Sequence, residues 1–303
     1  MRPVIASLID DWTSPETESG RTLMLKNARL TRKICITYSG LSGVALIFFA
    51  FLHGFIEIRR RMSNDTNIEQ HLMLHSDYLF DTSKSPIYEV VCFLQFSTIG
   101  ICAVIYFSAD GFVAMLVLHL CAQLGIQRSM VKNSLVTSGQ RVVEFHQMLK
   151  LVVKRHQHLC WFADTIENSF NKVFLSQILV CTILFCFLAF QFIMIFVTGS
   201  KDSIVLQGCC VVLLSSAMLI SPFIYCYLGE CLNDENTGLF QSCYECEWYK
   251  LSPKETRCLL LIMIRCNQPF QITAGGFFNL SFRTFSQVSE VFVIISRSMH
   301  FGI

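Results

Sequence analysis

Long uncharged apolar stretches divide the chain and predict helices that cross a membrane. A crossing helix needs about 20 apolar residues, and three stretches exceed this length without a charged side chain: Ile34–Ile56, Phe174–Ser200 and Ser203–Gly229. A fourth stretch begins after Pro86 and continues past Asp110 to Leu124. We therefore predict one further spanning helix there, with a long extension into the cytosol.

The last apolar region is interrupted. Cys258–Ile264 is short, Asn267–Pro269 breaks the pattern, and a second segment runs from about Ile272 to Ile295. Non-helical backbone at membrane depth is tolerated only where protein or a watery cavity surrounds it, so we predict a broken final helix. The expected fold is an all-α, polytopic transmembrane bundle that forms one domain, 1–303. Its five spanning units are 34–57, 88–124, 173–199, 203–229 and 258–296.

The distribution of basic residues predicts the orientation of the chain. Most Lys and Arg residues lie in the segments 1–33, 125–172 and 230–257. Because cytosolic loops carry the excess of positive charge, we expect these segments and the N-terminus in the cytosol and the C-terminus outside. Asn64-Asp65-Thr66 is an N-glycosylation acceptor sequence, and it lies in a predicted outer loop. Asn64 is therefore a candidate glycosylation site.

Composition agrees with a lipid environment and excludes one class of partner. The chain is 53% hydrophobic and only 15% charged, whereas an ordinary soluble domain is about 25% charged. A net charge of +2, with no block of Lys and Arg large enough to form a basic face, argues against nucleic acid, because that partner needs such a face. The expected surroundings are a lipid bilayer.

Two groups of residues are of types found in metal or catalytic sites, but their spacing does not support either kind of site. Cys243 and Cys246 have the spacing of half a zinc site, but no second Cys/His pair at ligand spacing follows them. His156 and His158 lie two residues apart on a predicted helix, which places their rings on different faces. We therefore expect reduced thiols, a solvated histidine face, no metal, no cofactor and no enzymatic activity.

Pro222 and His53 each permit a purely structural and a functional interpretation. Pro222 interrupts the hydrogen bonds of an uncharged span, which gives either a simple kink or a gating hinge. His53 lies near the outer end of the first span, where it either donates a hydrogen bond to a ligand or rests at the interface. The pattern does not choose between these interpretations.

Four motifs in the last third of the chain resemble the C-terminal half of insect odorant receptors. Their order and spacing carry the resemblance, and weaker similarity extends upstream through Asp11-Trp12 and Leu74–Asp77 to nearly the whole chain. The four motifs are Tyr225–Glu230, Cys243–Tyr249, Leu259–Arg265 and Pro269–Phe278.

The resemblance implies a topology and a function. That family has seven spanning helices, a cytosolic N-terminus and an extracellular C-terminus, as the charge distribution predicts here independently. It implies an odorant receptor subunit in the plasma membrane of a sensory neuron. Such a subunit binds volatile hydrophobic molecules and forms a ligand-gated nonselective cation channel with a shared co-receptor. The expected assembly is a hetero-oligomer, a tetramer.

The resemblance also assigns roles to individual residues. Trp248 and Tyr249 correspond to a cytosolic subunit interface, and Thr273–Val288 to the start of the pore helix. The expected ligand-binding residues are Phe48, Phe51, His53, Phe55, Phe93, Phe96, Leu206 and Cys209. The expected residues of the pore helix are Thr273, Ala274, Gly275, Phe277, Phe278, Phe285 and Val288.

Two departures from the family pattern keep other interpretations open. Only five spanning units are visible, and the chain begins in what resembles the loop before the third helix, as if truncated at its N-terminus. After Val288 the sequence differs and introduces Glu290, a carboxylate that either attracts cations or prevents tight packing. The alternatives are a truncated, non-conducting assembly partner of the channel, a gustatory receptor or an unrelated transporter.

Overall fold

The structure is a computed structural model, and it describes residues 1–13, 17–62, 86–137, 142–198, 201–245, 248–250, 252–267 and 270–290. Six long or medium helices follow one another, and a small hairpin precedes a last helical segment. The helices are α1 (Arg2–Thr13), α2 (Glu18–Met62), α3 (Ile87–Thr137), α4 (Val142–Thr198), α5 (Lys201–Tyr244) and α6 (Pro253–Cys266). A 3-10 turn, Trp248–Lys250, precedes α6; strands β1 (Thr273–Ala274) and β2 (Phe278–Asn279) form the hairpin, and α7 covers 282–290. The prediction of an all-α bundle is confirmed.

Several helices begin at residues that satisfy their free N–H groups. Thr17 caps α2, because its hydroxyl accepts the N–H of Gly20 at 3.0 Å. Ser281 caps α7 in the same way, with the N–H of Thr284 at 3.3 Å. These hydroxyls satisfy donors that have no partner within the helix. Pro253 occupies the first turn of α6, where its missing N–H has no cost.

Four helices are long and apolar enough, within the described residues, to cross a membrane. The qualifying ranges lie in α2, α3, α4 and α5, and they include most of the predicted spans 34–57, 88–124, 173–199 and 203–229. Each helix exceeds the length that a bilayer requires. The helical residues beyond the length that a bilayer requires lie largely in polar segments. Helices α3 and α4 each extend into the segment 125–172 as predicted.

The chain divides into two compact units. The first contains the described residues of 1–33, 113–183 and 221–293, and the second those of 34–112 and 184–220. In the first unit, the part of α3 from Val113 to Gln127 is buried at nearly every position. A helix segment buried on all sides lies in a core. Other buried side chains of the first unit include Phe162, Ile166, Leu228, Leu232, Leu239 and Ile262.

The second unit buries single stripes of its helices. On α2 the stripe contains Tyr38, Ser42, Ala45 and Leu52, at the spacing of one helical face. Tyr38 packs edge to face on Phe107 with 4.9 Å between ring centroids. Large apolar side chains of the same helices are exposed, including Val44, Ile47, Ile101, Val104, Ile105 and Phe187. Apolar exposure on this scale is compatible with lipid and not with water.

The predicted break of the final helix is confirmed, but the position at which the helix resumes is wrong. We expected a helix from about Ile272, and residues 273–279 form a hairpin instead. Gly275 and Gly276 have φ of 64° and 76°, a conformation that glycine adopts without strain and other residues avoid. Helix α7 therefore begins only at residue 282. Thr273, Ala274, Gly275, Phe277 and Phe278, which we predicted in a helix, lie in this hairpin.

Candidate functional site

The predicted ligand-binding residues whose side chains the structure describes lie in the second unit, mostly on its surface. Phe51 and Phe55 stack on one face of α2 with 6.4 Å between ring centroids. Phe93 and Phe96 follow each other on the exposed side of α3, where they are 69% and 42% exposed. Phe48 is half-buried and Cys209 is exposed. The side chains of His53 and Leu206, and all of Asn64, lie outside the described residues.

The junction between α6 and α7 is held by contacts with α4 and α5. We use "junction" for residues 270–281. The backbone N–H of Thr273 donates to Glu167 Oε2 at 2.9 Å, and the Thr273 hydroxyl donates to Oε1 of the same carboxylate. The N–H of Gly275 donates to the carbonyl of Asn171 at 2.8 Å. One turn of α4 therefore holds the hairpin by three hydrogen bonds.

Helix α5 contacts the other end of the junction. A Cβ atom added at Gly229 would overlap the carbonyl oxygen of Leu280 and lie 3.1 Å from its carbonyl carbon. The absence of a side chain at Gly229 therefore permits this approach of the two backbones. Gly275 is similarly close to Leu175, whose Cδ2 would lie 2.6 Å from an added Cβ.

Aromatic contacts set the course of α7 along α5. Phe282 packs against Tyr227 at 6.4 Å and against Phe223 at 5.9 Å, and Phe285 packs edge to face on Phe223 at 5.5 Å. Since Leu280 contacts Gly229, successive residues of the chain meet earlier positions of α5. Helix α7 therefore runs antiparallel to α5. Phe285 and Val288, two predicted pore residues, are half-buried on this packed side.

The predicted subunit-interface residues are exposed beside an apolar face of α6. Trp248 and Tyr249 are 43% and 68% exposed, and the Thr256 hydroxyl donates to the carbonyl of Trp248 at 3.3 Å. Leu259 and Ile262 turn into the core of the first unit. The opposite side of α6 exposes three large apolar side chains, Leu260, Leu261 and Ile264.

A buried polar chain in the first unit was missed at the sequence level. His119 Nε2 lies 2.9 Å from Asp11 Oδ2, and Arg155 Nη2 donates to Gln123 Oε1 at 2.6 Å. Gln127 donates to the carbonyl of Val152 at 3.1 Å. The signal was present, because His119, Gln123 and Gln127 recur every four residues within an apolar run. Beside them is a cavity of about 430 Å³, lined by Asp10, Asp11, Lys154, Arg155 and His158 among others.

The predicted solvated histidine face is only half correct. His158 is exposed and contacts Ser7 at 2.8 Å, whereas His156 is 5% exposed. Among the described residues, neither ring nitrogen of His156 has a hydrogen-bond partner, and its ring lies 6.0 Å from that of Phe270. Burial, and then the charge of Arg265, lower the pKa of His156 from 6.5 to about 4. The His156 ring is therefore neutral in the folded protein at neutral pH.

We expect this histidine to make the protein less stable in acid. The unfolded chain binds a proton near pH 6.5 and the folded chain only near pH 4, so the stability present above pH 6.5 is lost as pH falls toward 4. Between pH 7 and 5 the loss is about 1 to 2 kcal/mol. His156→Leu should lose less thermal stability over this interval than the wild type. His158→Gln, at an exposed position of the same helix, should retain the wild-type pH dependence; equal pH dependence of all three would contradict the assignment.

These features define a multi-pass helical membrane protein with a broken final segment held by α4 and α5. A family model for 7tm odorant receptors matches residues 5–292. The chain belongs to this family, which comprises receptors and not enzymes.

Individual relatives agree with the family match. The chain is 27% identical to Odorant receptor 13a of Drosophila melanogaster over 239 residues, which cover 73% of this chain and 56% of that receptor. It is 25% identical to the Odorant receptor coreceptor of Anopheles gambiae over 140 residues, 46% of this chain and 28% of that one. The match to the Drosophila receptor thus spans little more than half of that relative.

The fold resembles that of a solved insect olfactory receptor. Superposition on OR5 from Machilis hrabei, solved in complex with eugenol, gives a TM-score of 0.77 at 16% identity and covers 99% of this chain and 75% of that chain. The structure of OR5 itself gives a TM-score of 0.75. At this identity the likeness concerns the fold.

Proposed function

We propose that the chain is an odorant receptor subunit that binds volatile hydrophobic molecules and opens a nonselective cation channel together with a co-receptor subunit. The observation that carries the proposal is the family match over residues 5–292. The expected location is the plasma membrane of a sensory neuron, with the N-terminus in the cytosol and the C-terminus outside. The excess of Lys and Arg in 1–33, 125–172 and 230–257 supports this orientation.

Aromatic faces of the second unit are the proposed ligand-binding surface. Phe51, Phe55, Phe93 and Phe96 present large apolar areas that nothing in the described part of the second unit covers fully. Such a surface binds a volatile molecule mainly by removing apolar area from water, and one or two polar groups orient it. His53 and Cys209 are the proposed polar contributors, with Phe48 and Leu206 completing the set.

Opening requires the ligand to favour one of two arrangements of the channel. A ligand shifts such an equilibrium only through its different affinities for the two states. In our proposal the shift reaches the pore through the junction, because Glu167, Asn171 and Gly229 fix the hairpin from which α7 begins. Pro222 lies one residue from Phe223, the main contact of α7 on α5. This location favours a gating hinge at Pro222 over a kink without a role in gating.

The proposed subunit interface combines aromatic and aliphatic side chains. Trp248 and Tyr249 have the size and amphipathic character of interface anchors. The exposed α6 face of Leu260, Leu261 and Ile264 adds apolar area beside them. A face of this kind on a segment between two membrane helices suits contact with other subunits, and we propose a tetramer that contains the co-receptor.

Electrical recording tests the proposal directly. Cells that express this chain with an odorant co-receptor should show cation currents when volatile hydrophobic compounds are applied, and cells that express either chain alone supply the background. If a panel of such compounds evokes no current above the co-receptor background while the chain is present at the cell surface, the proposed receptor function is incorrect.

A non-conducting assembly partner is the second candidate. It is favoured by the exposed apolar face of α6 beside Trp248 and Tyr249, because assembly through that face does not require a ligand. Co-purification with the co-receptor without odor-evoked current would identify this role. The family match argues against a gustatory receptor and an unrelated transporter.

A further inference from the structure

Helix α7 separates its residues into an apolar packed side and a polar exposed side. At 100° per residue, Arg283, Ser286, Gln287 and Glu290 fall within one arc of about 100°, and all four are exposed. The half-buried residues Phe285 and Val288 point the other way, toward α5. Apart from Phe282, whose ring contacts α5, the exposed residues of α7 are therefore polar, and they include both a positive and a negative charge.

This polar side lies at the depth of an apolar span. Helix α7 starts beside Gly229 and passes Tyr227 and Phe223, all within the uncharged stretch of α5 that ends at Gly229. Seven residues separate Arg283 from Glu290, and at 1.5 Å each they place the carboxylate about 10 Å further along α7. Glu290 thus continues in the direction of the apolar part of α5.

The exposed charges have no partner in the described chain. Arg283 and Glu290 make no ion pair or hydrogen bond through their side chains with any described residue. A charged side chain at membrane depth faces a bundle interior or a water-filled cavity, since contact with lipid is costly. Helix α7 turns its apolar side to its own unit, so its polar side faces water that lies outside this unit.

We propose that Arg283, Ser286, Gln287 and Glu290 line the water-filled path for ions, and that Glu290 sets its preference for cations over anions. The proposal rests on the proposed channel function and adds the face and the charge that serve it. A carboxylate in a narrow aqueous path raises the local concentration of cations and lowers that of anions. Arg283, at the cytosolic end of α7, opposes this effect and limits it.

Thiol accessibility tests which side of α7 meets water. Single cysteines replace Ser286, Gln287 and Glu290 on the polar side and Thr284 and Val288 on the packed side. A positively charged, membrane-impermeant methanethiosulfonate reagent should reduce the odor-evoked current of the first three by more than half and leave the last two near the wild type. The wild type, with its 15 native cysteines, supplies the background. Equal modification of both sides would overturn the proposed lining.

Ion selectivity tests the role of Glu290. In a diluted external NaCl solution, Glu290→Gln should lower the cation-to-anion permeability ratio about fivefold, because one unit charge about 8 Å from the ion in water affects the cation and the anion by about a factor of two each, in opposite directions. Glu290→Asp should retain the wild-type ratio, and Arg283→Gln should raise it. An unchanged reversal potential in Glu290→Gln would overturn the selectivity role.

A labelling experiment tests the water-filled path even if the chain does not form a channel. In that case the wild type gives no current, and the same cysteine variants are labelled with a biotin-linked impermeant maleimide on intact cells that also express the co-receptor. Labelling of Gln287→Cys and Glu290→Cys above Thr284→Cys would support a water-filled path along α7. Protection of all polar-side positions would overturn it and indicate that another chain covers this face.

Discussion

Replacing Gly229 with alanine should abolish most of the odor-evoked current and lower the thermal stability of the assembled channel. The added Cβ would overlap the carbonyl oxygen of Leu280, and both partners are backbone, so no rotamer change relieves the clash. Overpacking of this kind costs about 1 to 3 kcal/mol. Since Leu280 lies two residues before the start of α7, the displacement reaches the proposed pore helix.

The matched control lies in the same helix. A Cβ at Gly208 would meet only Phe192 Cε2 at 3.9 Å, an ordinary contact. Gly208→Ala should therefore leave the current intact and stabilise the helix by a few tenths of a kcal/mol to about 1 kcal/mol. Size-exclusion profiles of heated, detergent-solubilised complexes give the thermal midpoints. A Gly229→Ala channel with wild-type current and midpoint would show that the close approach to Leu280 is not required.

The membrane helices were predictable because apolar length is a strong signal. The spans in α2, α3, α4 and α5 follow from uncharged stretches alone, and their continuation as helices into 125–172 agrees with the absence of proline there. Which apolar residues face a core was not predictable. Leu116 and Leu120 are fully buried whereas Ile101 and Val104 are exposed on the same helix, and both environments select apolar side chains.

The sequence of the hairpin contains a turn signal, but it lies inside a long apolar run that predicts a helix. Ile272 to Ile295 is apolar enough to predict a helix, but Gly275-Gly276 between Thr273-Ala274 and Phe277-Phe278 is also a turn signal flanked by strand-forming residues. Contacts distant in sequence decide between these patterns. Glu167 and Asn171 lie about 100 residues upstream and supply hydrogen bonds to Thr273 and Gly275.

The polar residues of the first unit were predictable only in part. His119 and Gln123 could be found as a four-residue repeat in an apolar run, whereas their partners Asp11 and Arg155 lie on other helices and only the fold identifies them. His156 was predicted to be solvated because the two-residue spacing from His158 does not place the two rings on one helical face. Packing beside Phe270 buries it, and no spacing rule within the segment reports that contact.

Glu167→Ala should release the hairpin and reduce odor-evoked current to a small fraction of the wild type. The carboxylate accepts both the backbone N–H and the hydroxyl of Thr273. Its removal leaves a partly buried donor without a partner, which costs about 1 to 3 kcal/mol. Glu167→Gln keeps one amide oxygen as an acceptor and should have a smaller effect. Asn168→Ala, at the adjacent exposed position, should behave as the wild type.

A double-mutant cycle separates this contact from a general loss of helix stability. Thr273→Val removes only the hydroxyl and retains the N–H, so alone it should cost less than Glu167→Ala. If the two side chains interact as the structure indicates, their combined effect on the thermal midpoint should be smaller than the sum of the separate effects, with a coupling of about 1 kcal/mol. Additive effects would show that the contact between the Thr273 hydroxyl and the Glu167 carboxylate does not contribute to stability. Because the carboxylate lies on α4 and the threonine lies nine residues before α7, a measured coupling would also show that α4 helps to position the start of the proposed pore helix.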